Sequence, residues 1–321
     1  MTLLEVDTLA VELGGAAVVG DVSFRLERGE RLGLIGESGS GKSMTALALI
    51  GLLTEEAIVS GHVLLDGRDL IGMAEAQLCE LRGDRIGMIF QEPMTALNPV
   101  MRVGHQVAEV VRQHRGGTRR AARGRALELL GRVEFRDPER IARSYPHELS
   151  GGQRQRIILA MAVACSPALV LADEPTTALD VTVQAQMLRL LGRVVSEEGA
   201  ALMLISHDLA VVSSMCDRLL VMYGGRIVEH GPTAAVLEQP RHPYTAGLLA
   251  TSSAMSDGTV AHGQPLPTIR GSVPGLGRFP DGCVFRSRCG RATDACRVRP
   301  PLDGGTHAFA CWHPIETGTR S

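Results

Sequence analysis

The sequence predicts an α/β fold in which helices cover a mainly parallel sheet. Two observations carry this prediction: strand-like and helix-like segments alternate along much of the chain, and a glycine-rich loop joins a strand to a helix near the amino terminus. With 321 residues, 45% of them hydrophobic, the chain can bury a large core. That size suggests one large domain with an appendage, or two domains.

Apolar periodicity locates the individual elements. Strands are predicted at residues 22–26, 31–35, 85–90, 169–172 and 202–205. Helices are predicted at 42–53, 155–164 and 181–195, and the arginine-rich stretch 103–144 is also helical in pattern. Because that stretch interrupts the alternation, we expect an inserted helical subdomain at about residues 92–155.

The composition bounds the class of protein. The formal charge of −2 gives no support for a nucleic-acid partner, and aromatic side chains make up only 3% of the chain, too few for a base-stacking surface. No apolar run approaches the ~20 residues of a membrane span, and residues 1–7 do not resemble a signal peptide. We therefore expect a cytoplasmic protein that reaches the membrane only through a partner.

Residues 36–43 read G-E-S-G-S-G-K-S and fit the phosphate-binding pattern G-x-x-x-x-G-K-[ST]. Glycines let the backbone turn its N–H groups towards phosphate oxygens, and the following helix adds its positive end. Lys42 is expected to reach the β- and γ-phosphates and Ser43 to bind Mg²⁺. The residues predicted to hold the nucleotide here are Gly36, Ser38, Gly39, Ser40, Gly41, Lys42 and Ser43.

A second acidic pattern lies at residues 169–174, where an apolar strand ends in two carboxylates. The first, Asp173, is expected to hold Mg²⁺, and the second, Glu174, to act as general base on the attacking water. An acidic loop that only caps a strand is the alternative reading.

With these motifs in order, the chain resembles the ABC ATPases over about its first 250 residues. Leu149-Ser150-Gly151-Gly152-Gln153 is similar to the family's signature motif, and Thr177-Ala178-Leu179-Asp180 to its D-loop. Gln91 resembles the Q-loop glutamine, which implies contact with Mg²⁺ and the reacting water, and His207 resembles the switch histidine.

The resemblance implies a P-loop ABC ATPase fold with an antiparallel β subdomain, occupying residues 1–252. It further implies that the signature motif contacts ATP bound to a second ATPase subunit. The residues that would contact this nucleotide are Ser150, Gly151, Gly152, Gln153 and Asp180. The chain departs from the family in having no aromatic residue before Phe24 to stack on adenine, so aliphatics such as Leu13 or Val19 are expected to contact the base.

Three further stretches resemble one branch of that family, the dipeptide and oligopeptide importers. They are residues 90–99, residues 145–150, and His242-Pro243-Tyr244-Thr245 with the Gly-Leu-Leu that follows. The branch implies a heterodimer of paralogous ATPases, of which this chain resembles the first, with two permease subunits and an extracytoplasmic solute-binding protein. The branch also implies that the transporter takes up dipeptides or oligopeptides, with nickel or another small solute as the alternative cargo. The chain itself would then lie at the cytoplasmic face of the membrane.

Residues 253–321 are expected to form an irregular carboxyl-terminal extension that contains four cysteines. Cys283, Cys289, Cys296 and Cys311 are spaced C-x₅-C-x₆-C-x₁₄-C. Four thiolates suit a four-iron four-sulfur cluster, which the resemblance also implies, or a tetrahedral zinc ion. Reduced thiols without a metal are the remaining alternative.

Two rival functions fit the sequence less well. Soluble ABC proteins that act on ribosomes or DNA usually carry two cassettes or long coiled-coil insertions, and this chain has neither. A P-loop kinase or GTPase would not explain residues 149–153. Co-purification with permease subunits, as opposed to ribosomes or DNA, separates transport from the first rival.

Overall fold

Strands and helices alternate along the chain in the computed structural model, which describes residues 1–92, 96–177, 179–256 and 268–316. Residues 93–95, Ala178, residues 257–267 and residues 317–321 lie outside the described residues. The strands are β1 (Thr2–Leu13), β2 (Ala16–Glu27), β3 (Arg31–Ile35), β4 (Ala57–Leu65), β5 (Arg68–Asp69), β6 (Ile86–Ile89), β7 (Leu169–Asp173), β8 (Ala201–Ser206), β9 (Arg218–Tyr223), β10 (Arg226–Pro232) and β11 (Ala308–Phe309).

The helices flank these strands. They are α1 (Lys42–Leu49), α2 (Glu75–Leu81), α3 (Val103–Arg115), α4 (Arg119–Arg132), α5 (Pro138–Arg143), α6 (Gly151–Ala162), α7 (Val181–Glu198), α8 (Leu209–Met215), α9 (Thr233–Glu238) and α10 (Pro243–Ser256). Among the described residues, none of these helices combines the length and the apolar character that crossing a bilayer requires.

The chain forms two compact units. The first comprises Met1–Leu4, Leu26–Glu30 and Leu65–Leu204, and the second Glu5–Arg25, Arg31–Leu64 and Ile205–Ser321. The division into residues 1–252 and 253–321 stays a prediction, as does the helical subdomain at about 92–155.

In the first unit, parallel strands bring their carboxyl ends to one edge. β6 pairs in parallel with β7, with Ile86 opposite Leu169 and Ile89 opposite Ala172. Every residue of β7 is buried, as expected for a parallel strand that is covered on both faces. The pairing places the residues that follow β6 beside those that follow β7.

Side-chain caps divide the helical stretch of the first unit into shorter pieces. Thr118 accepts a hydrogen bond from the N–H of Ala121 and so starts α4, while Asp137 accepts from Arg140 and starts α5. Such caps satisfy N–H groups that have no partner within the helix. The single helical pattern that the sequence shows at 103–144 is therefore three helices.

In the second unit the strand order is β11–β10–β9–β3. β3 is parallel to β9, with Leu32 opposite Arg218 and Ile35 opposite Val221, whereas β10 is antiparallel to both β9 and β11. β3 therefore delivers its carboxyl end, and the glycine-rich loop that follows, from a paired and largely buried strand.

Candidate functional site

The loop at residues 36–43, here called the phosphate-binding loop, connects β3 to α1 and has no room for side chains at two of its glycines. A Cβ on Gly36 would lie 2.2 Å from the carbonyl oxygen of Met222, and one on Gly41 would lie 3.0 Å from that of Val18. Gly41 also has a left-handed backbone, with φ at +102°, which favours glycine. The motif's glycines are thus required by the tight turn of the loop.

Lys42 is buried and folds back over the loop. Its Nζ donates to the carbonyl oxygens of Gly36, at 2.7 Å, and Glu37, at 3.0 Å, and lies 3.5 Å from the Ser40 hydroxyl. An ammonium held between two backbone carbonyls has a fixed direction and provides positive charge at the loop.

The start of α1 is suited to an anion. Its amino-terminal cap is Gly41, which provides no side-chain hydrogen bond, and its first turn contains no acidic residue. The N–H groups of a first turn and the helix dipole both favour negative charge at this position. Ser43 lies in this turn, as the predicted Mg²⁺ role requires.

In the first unit, the ends of β6 and β7 bring the Q-loop glutamine to the predicted base. The Gln91 amide donates to the Glu174 carboxylate at 3.3 Å, and the Thr177 hydroxyl donates to the same oxygen at 3.0 Å. Glu174 has a left-handed backbone, with φ at +46°, which is uncommon outside glycine and concentrates at functional sites. Asp173, the preceding residue, is buried at the end of β7.

Thr177 was not predicted as a contact of Glu174. The only signal for it in the sequence is its spacing three residues beyond the acid, within the segment that resembles the D-loop.

The signature residues form the start of α6. The Ser150 hydroxyl accepts from the N–H of Gln153, at 3.3 Å, and the Gln153 amide oxygen accepts from the N–H of Ser150, at 3.0 Å. This reciprocal pair is a capping box. Ser150 and Gly151 are exposed, so the positive end of α6 is accessible to a ligand.

The D-loop aspartate starts the next helix of that unit. The Asp180 carboxylate accepts from the N–H of Val183 at 2.9 Å, which makes Asp180 the cap of α7. A Cβ on Gly152 would lie 2.7 Å from Val183, so the second signature glycine is needed where α6 approaches α7.

His207 follows β8 and is exposed, next to Asp208, which caps α8 by accepting from the N–H of Ala210 at 2.8 Å. Of the two aliphatics that we expected to contact adenine, Val19 is fully buried and Leu13 is partly exposed. Of the two side chains, only that of Leu13 therefore has exposed surface that adenine could contact.

The predicted iron–sulfur cluster is wrong. Across residues 1–92, 96–177, 179–256 and 268–316, no group of three or more His, Cys, Asp or Glu side chains is placed to hold a metal ion. The zinc alternative finds no support in the same residues. Burial raises the pKa of the Cys283 and Cys289 thiols and raises that of Cys311 to about 11.

Packing and hydrogen bonds connect the cysteine-containing segment to the rest of its unit. Val284 and Phe285 are buried, and the ring of Phe285 lies 5.2 Å from that of Tyr223. The N–H of Cys283 donates to the carbonyl of Cys296 at 3.0 Å. Within the extension that the sequence predicts to be irregular, these are specific packing contacts of large side chains.

Tyr244 and Arg288 are further residues that the sequence did not assign to the site. Both contact Glu37, the second residue of the phosphate-binding loop. Tyr244 belongs to the His-Pro-Tyr-Thr stretch that marked the resemblance to peptide importers, although nothing in that stretch indicated a contact with the loop.

Comparison with known families agrees with this arrangement. The ABC transporter family model matches residues 19–177, and the model of the oligopeptide/dipeptide transporter carboxyl-terminal region matches residues 228–296. Among solved structures, the ATP-binding cassette MJ0796, a dimer bound to ADP and Pi, is similar with a TM-score of 0.64 and 28% identity. That match covers 72% of this chain and 98% of the cassette.

Curated relatives match nearly the whole chain. The probable D,D-dipeptide transport ATP-binding protein DdpD of Escherichia coli is 47% identical, over 94% of this chain and 93% of its own. The oligopeptide transport ATP-binding protein OppD of Salmonella typhimurium is 44% identical, over 98% of this chain and 94% of its own. The chain therefore belongs to the ATP-binding proteins of the oligopeptide/dipeptide family of ABC transporters.

Proposed function

We propose that this chain is the ATP-hydrolysing subunit of an importer that moves dipeptides or oligopeptides across the cytoplasmic membrane. The observation that carries the proposal is the match at 44–49% identity, over most of the chain, to several peptide-transport ATP-binding proteins. The match to the carboxyl-terminal region of that transporter family supports the same cargo class.

The chain's own residues fit Mg-ATP. The phosphate-binding loop offers backbone N–H groups, the Lys42 ammonium and the uncapped start of α1, which together suit a polyphosphate. The motifs and the family resemblance assign Ser43, Gln91 and Asp173 to Mg²⁺, and each carries an oxygen atom of the kind that this ion prefers. Bound there, the ion would neutralise charge that develops on the phosphates.

Glu174 is the proposed general base. Its hydrogen bonds from Gln91 and Thr177 fix the direction of the carboxylate, which a base needs in order to accept the proton of an attacking water. His207, the predicted switch histidine, is assigned by family resemblance to the same reaction.

The signature residues are proposed to serve a second ATPase subunit. The start of α6 is exposed at Ser150 and Gly151 and presents N–H groups with a favourable dipole. With Gly152, Gln153 and Asp180 they would contact the γ-phosphate of the partner's ATP. A complete site would then need two chains, which in this family are paralogues.

The remaining partners follow from family membership. They are two permease subunits and an extracytoplasmic solute-binding protein that delivers cargo to the permease. The chain would then work as a peripheral protein at the cytoplasmic face of the membrane.

Transport measured in proteoliposomes tests the proposal. The chain is co-expressed with a paralogous ATPase, the permease subunits and a solute-binding protein of the same family, and ATP-driven uptake of labelled di- and oligopeptides is recorded. We expect uptake that requires ATP and is lost with Glu174→Gln. ATP hydrolysis that supports nickel uptake but no peptide uptake would contradict the peptide cargo.

A further inference from the structure

Glu37 is held by two residues that lie far along the chain. Its carboxylate accepts two hydrogen bonds from the guanidinium of Arg288, 2.6 Å from Nη1 to Oε2 and 3.2 Å from Nη2 to Oε1. Its backbone N–H donates to the hydroxyl of Tyr244 at 2.8 Å. The side chain and the backbone of one loop residue are thus both fixed from outside the loop.

Arg288 is itself tightly held. Its side chain is 5% exposed, its Nε donates to the carbonyl of Arg270 at 2.8 Å, and its guanidinium lies 5.7 Å from the ring centre of Tyr223. Burial disfavours the charged form, but the hydrogen bonds to Glu37 outweigh it and hold the pKa of Arg288 above its ordinary value. The guanidinium therefore stays charged and presents a rigid fork to the carboxylate.

An aromatic cluster fixes Tyr244 relative to Arg288. The ring of Tyr244 lies 4.7 Å from that of Tyr223 and 5.4 Å from that of Phe285. Tyr244 is fully buried, and its hydroxyl lies at the Glu37 N–H. Such packed rings adopt few alternative positions. The positions of Tyr244 and Arg288, and hence their contacts with Glu37, are therefore coupled.

Glu37 passes this constraint to Lys42. The Glu37 carbonyl accepts from Lys42 Nζ, at 3.0 Å, and from the N–H of Ser40, at 3.2 Å. A shift of Glu37 would therefore move one of the two carbonyls that orient the lysine ammonium, together with the turn at Ser40.

From these contacts we infer that Arg288 is a positioning residue of the nucleotide site, which acts through Glu37 on Lys42 and the phosphate-binding loop. The affinity for ATP then depends on a side chain 251 residues away from the loop. The inference rests on the proposed function, because it concerns how the same nucleotide site is held.

Affinity measurements on the full chain test this inference. Arg288→Met removes the fork but keeps much of the side chain's bulk, and Arg288→Lys keeps the charge without the paired N–H groups. Mg-ATP affinity is measured by titration at a temperature at which circular dichroism shows each variant folded. We expect Arg288→Met to bind roughly tenfold more weakly, within the usual range of coupling between sites, and Arg288→Lys to be intermediate.

Two controls separate positioning from a general loss of stability. Arg297→Met removes an exposed arginine from the same segment, where it pairs with Asp294 at the surface, and should bind ATP as the wild type does. The double variant Arg288→Met with Glu37→Gln should bind no more weakly than Arg288→Met alone, since both act through one contact. A residue that only stabilised the fold would lower the unfolding temperature and leave the affinity of the folded chain unchanged.

Wild-type affinity in folded Arg288→Met, or additive losses in the double variant, would overturn the inference. Should Arg288→Met not fold, wild-type affinity in Arg288→Lys would overturn it equally. If Lys42→Ala also binds ATP as the wild type does, the proposed nucleotide site fails as well, so the two failures are distinguishable.

Discussion

Glu174 has a backbone conformation that a glutamate adopts only when its surroundings enforce it, and two side chains hold its carboxylate. The strain of such a residue costs about 1–3 kcal/mol. Five other non-glycine residues among those described share a positive φ, Glu134 among them, so the backbone alone does not identify a base. At the residue scale, the hydrogen bonds from Gln91 and Thr177 are the observations that support the proposed role of Glu174.

Glu174→Gln is expected to reduce ATP hydrolysis by about 10²- to 10⁴-fold, the usual contribution of a general base, while ATP binding is retained. The amide keeps the shape of the side chain but cannot accept a proton. Steady-state hydrolysis by the assembled transporter, together with an ATP titration, measures both effects. Glu139→Gln, an exposed change on α5, is the matched control, and near-normal hydrolysis by Glu174→Gln would remove the assignment.

Lys42→Ala is expected to weaken ATP binding by roughly 10- to 100-fold, which corresponds to losing a hydrogen bond to a charged group worth about 1.5–3 kcal/mol. The variant removes an ammonium and also the contacts to the Gly36 and Glu37 carbonyls. Isothermal titration with Mg-ATP checks the prediction, and an unchanged affinity would contradict the role of Lys42.

At the scale of elements, many of the predicted site residues lie at the amino-terminal ends of helices. α1 begins at a glycine without a side-chain cap, whereas α6 and α7 begin at Ser150 and Asp180, which are ordinary caps in their own unit. The signature serine therefore has a structural task here, in addition to the contact that family resemblance assigns to it. Comparing the Ser150 cap with a cap outside the predicted site separates the structural task from the contact with nucleotide.

Ser150→Ala and Thr118→Ala each remove the cap of a helix in the first unit. Each is expected to lower the free energy of unfolding by about 1 kcal/mol. Only Ser150→Ala should also reduce ATP hydrolysis by the assembled transporter. Chemical denaturation and hydrolysis assays on both variants provide the test, and equal hydrolysis by the two would show that Ser150 is only a cap.

Local sequence predicted five of the eleven strands that the described residues form and the helices around the nucleotide motifs. It missed the elements between Arg218 and Ser256, and it misplaced boundaries that depend on turn chemistry. α1 was expected to reach residue 53 but ends at Leu49, because Gly51 adopts a left-handed conformation and the N–H of Leu52 donates to the carbonyl of Leu47. α6 starts at Gly151, before the expected residue 155, because of the capping box that Ser150 and Gln153 form. Both signals are readable from the sequence once turn and cap residues are considered.

The support of the phosphate-binding loop could not be predicted in the same way. The motif identifies residues 36–43 because its spacing is local. The contacts from Tyr244 and Arg288 to Glu37 join residues 207 and 251 positions apart, and no spacing rule connects them. The four cysteines show the converse error. Their local spacing suggested a metal site, but among the described residues the folded side chains do not form one.

For the molecule as a whole, the proposal predicts that the purified chain alone is a poor ATPase. The exposed signature residues would serve a partner's nucleotide, so one chain lacks a complete site. Hydrolysis per mole should rise when the paralogous ATPase and the permease are added. Full turnover by a monomer, verified by light scattering, would rule out the composite site, and the Glu174→Gln chain mixed with the same partners controls for their own activity.

The parallel pairing of β3 with β9 also constrains how the chain folds as it is made. The two strands are separated by about 180 residues, which at ~5–20 residues per second take roughly 10–40 s to synthesise. During that interval β3 has emerged without its neighbour, and its Leu-Gly-Leu-Ile run is an apolar edge that can associate wrongly. We therefore expect a chaperone that binds nascent chains at the ribosome to contact this chain until β9 has emerged.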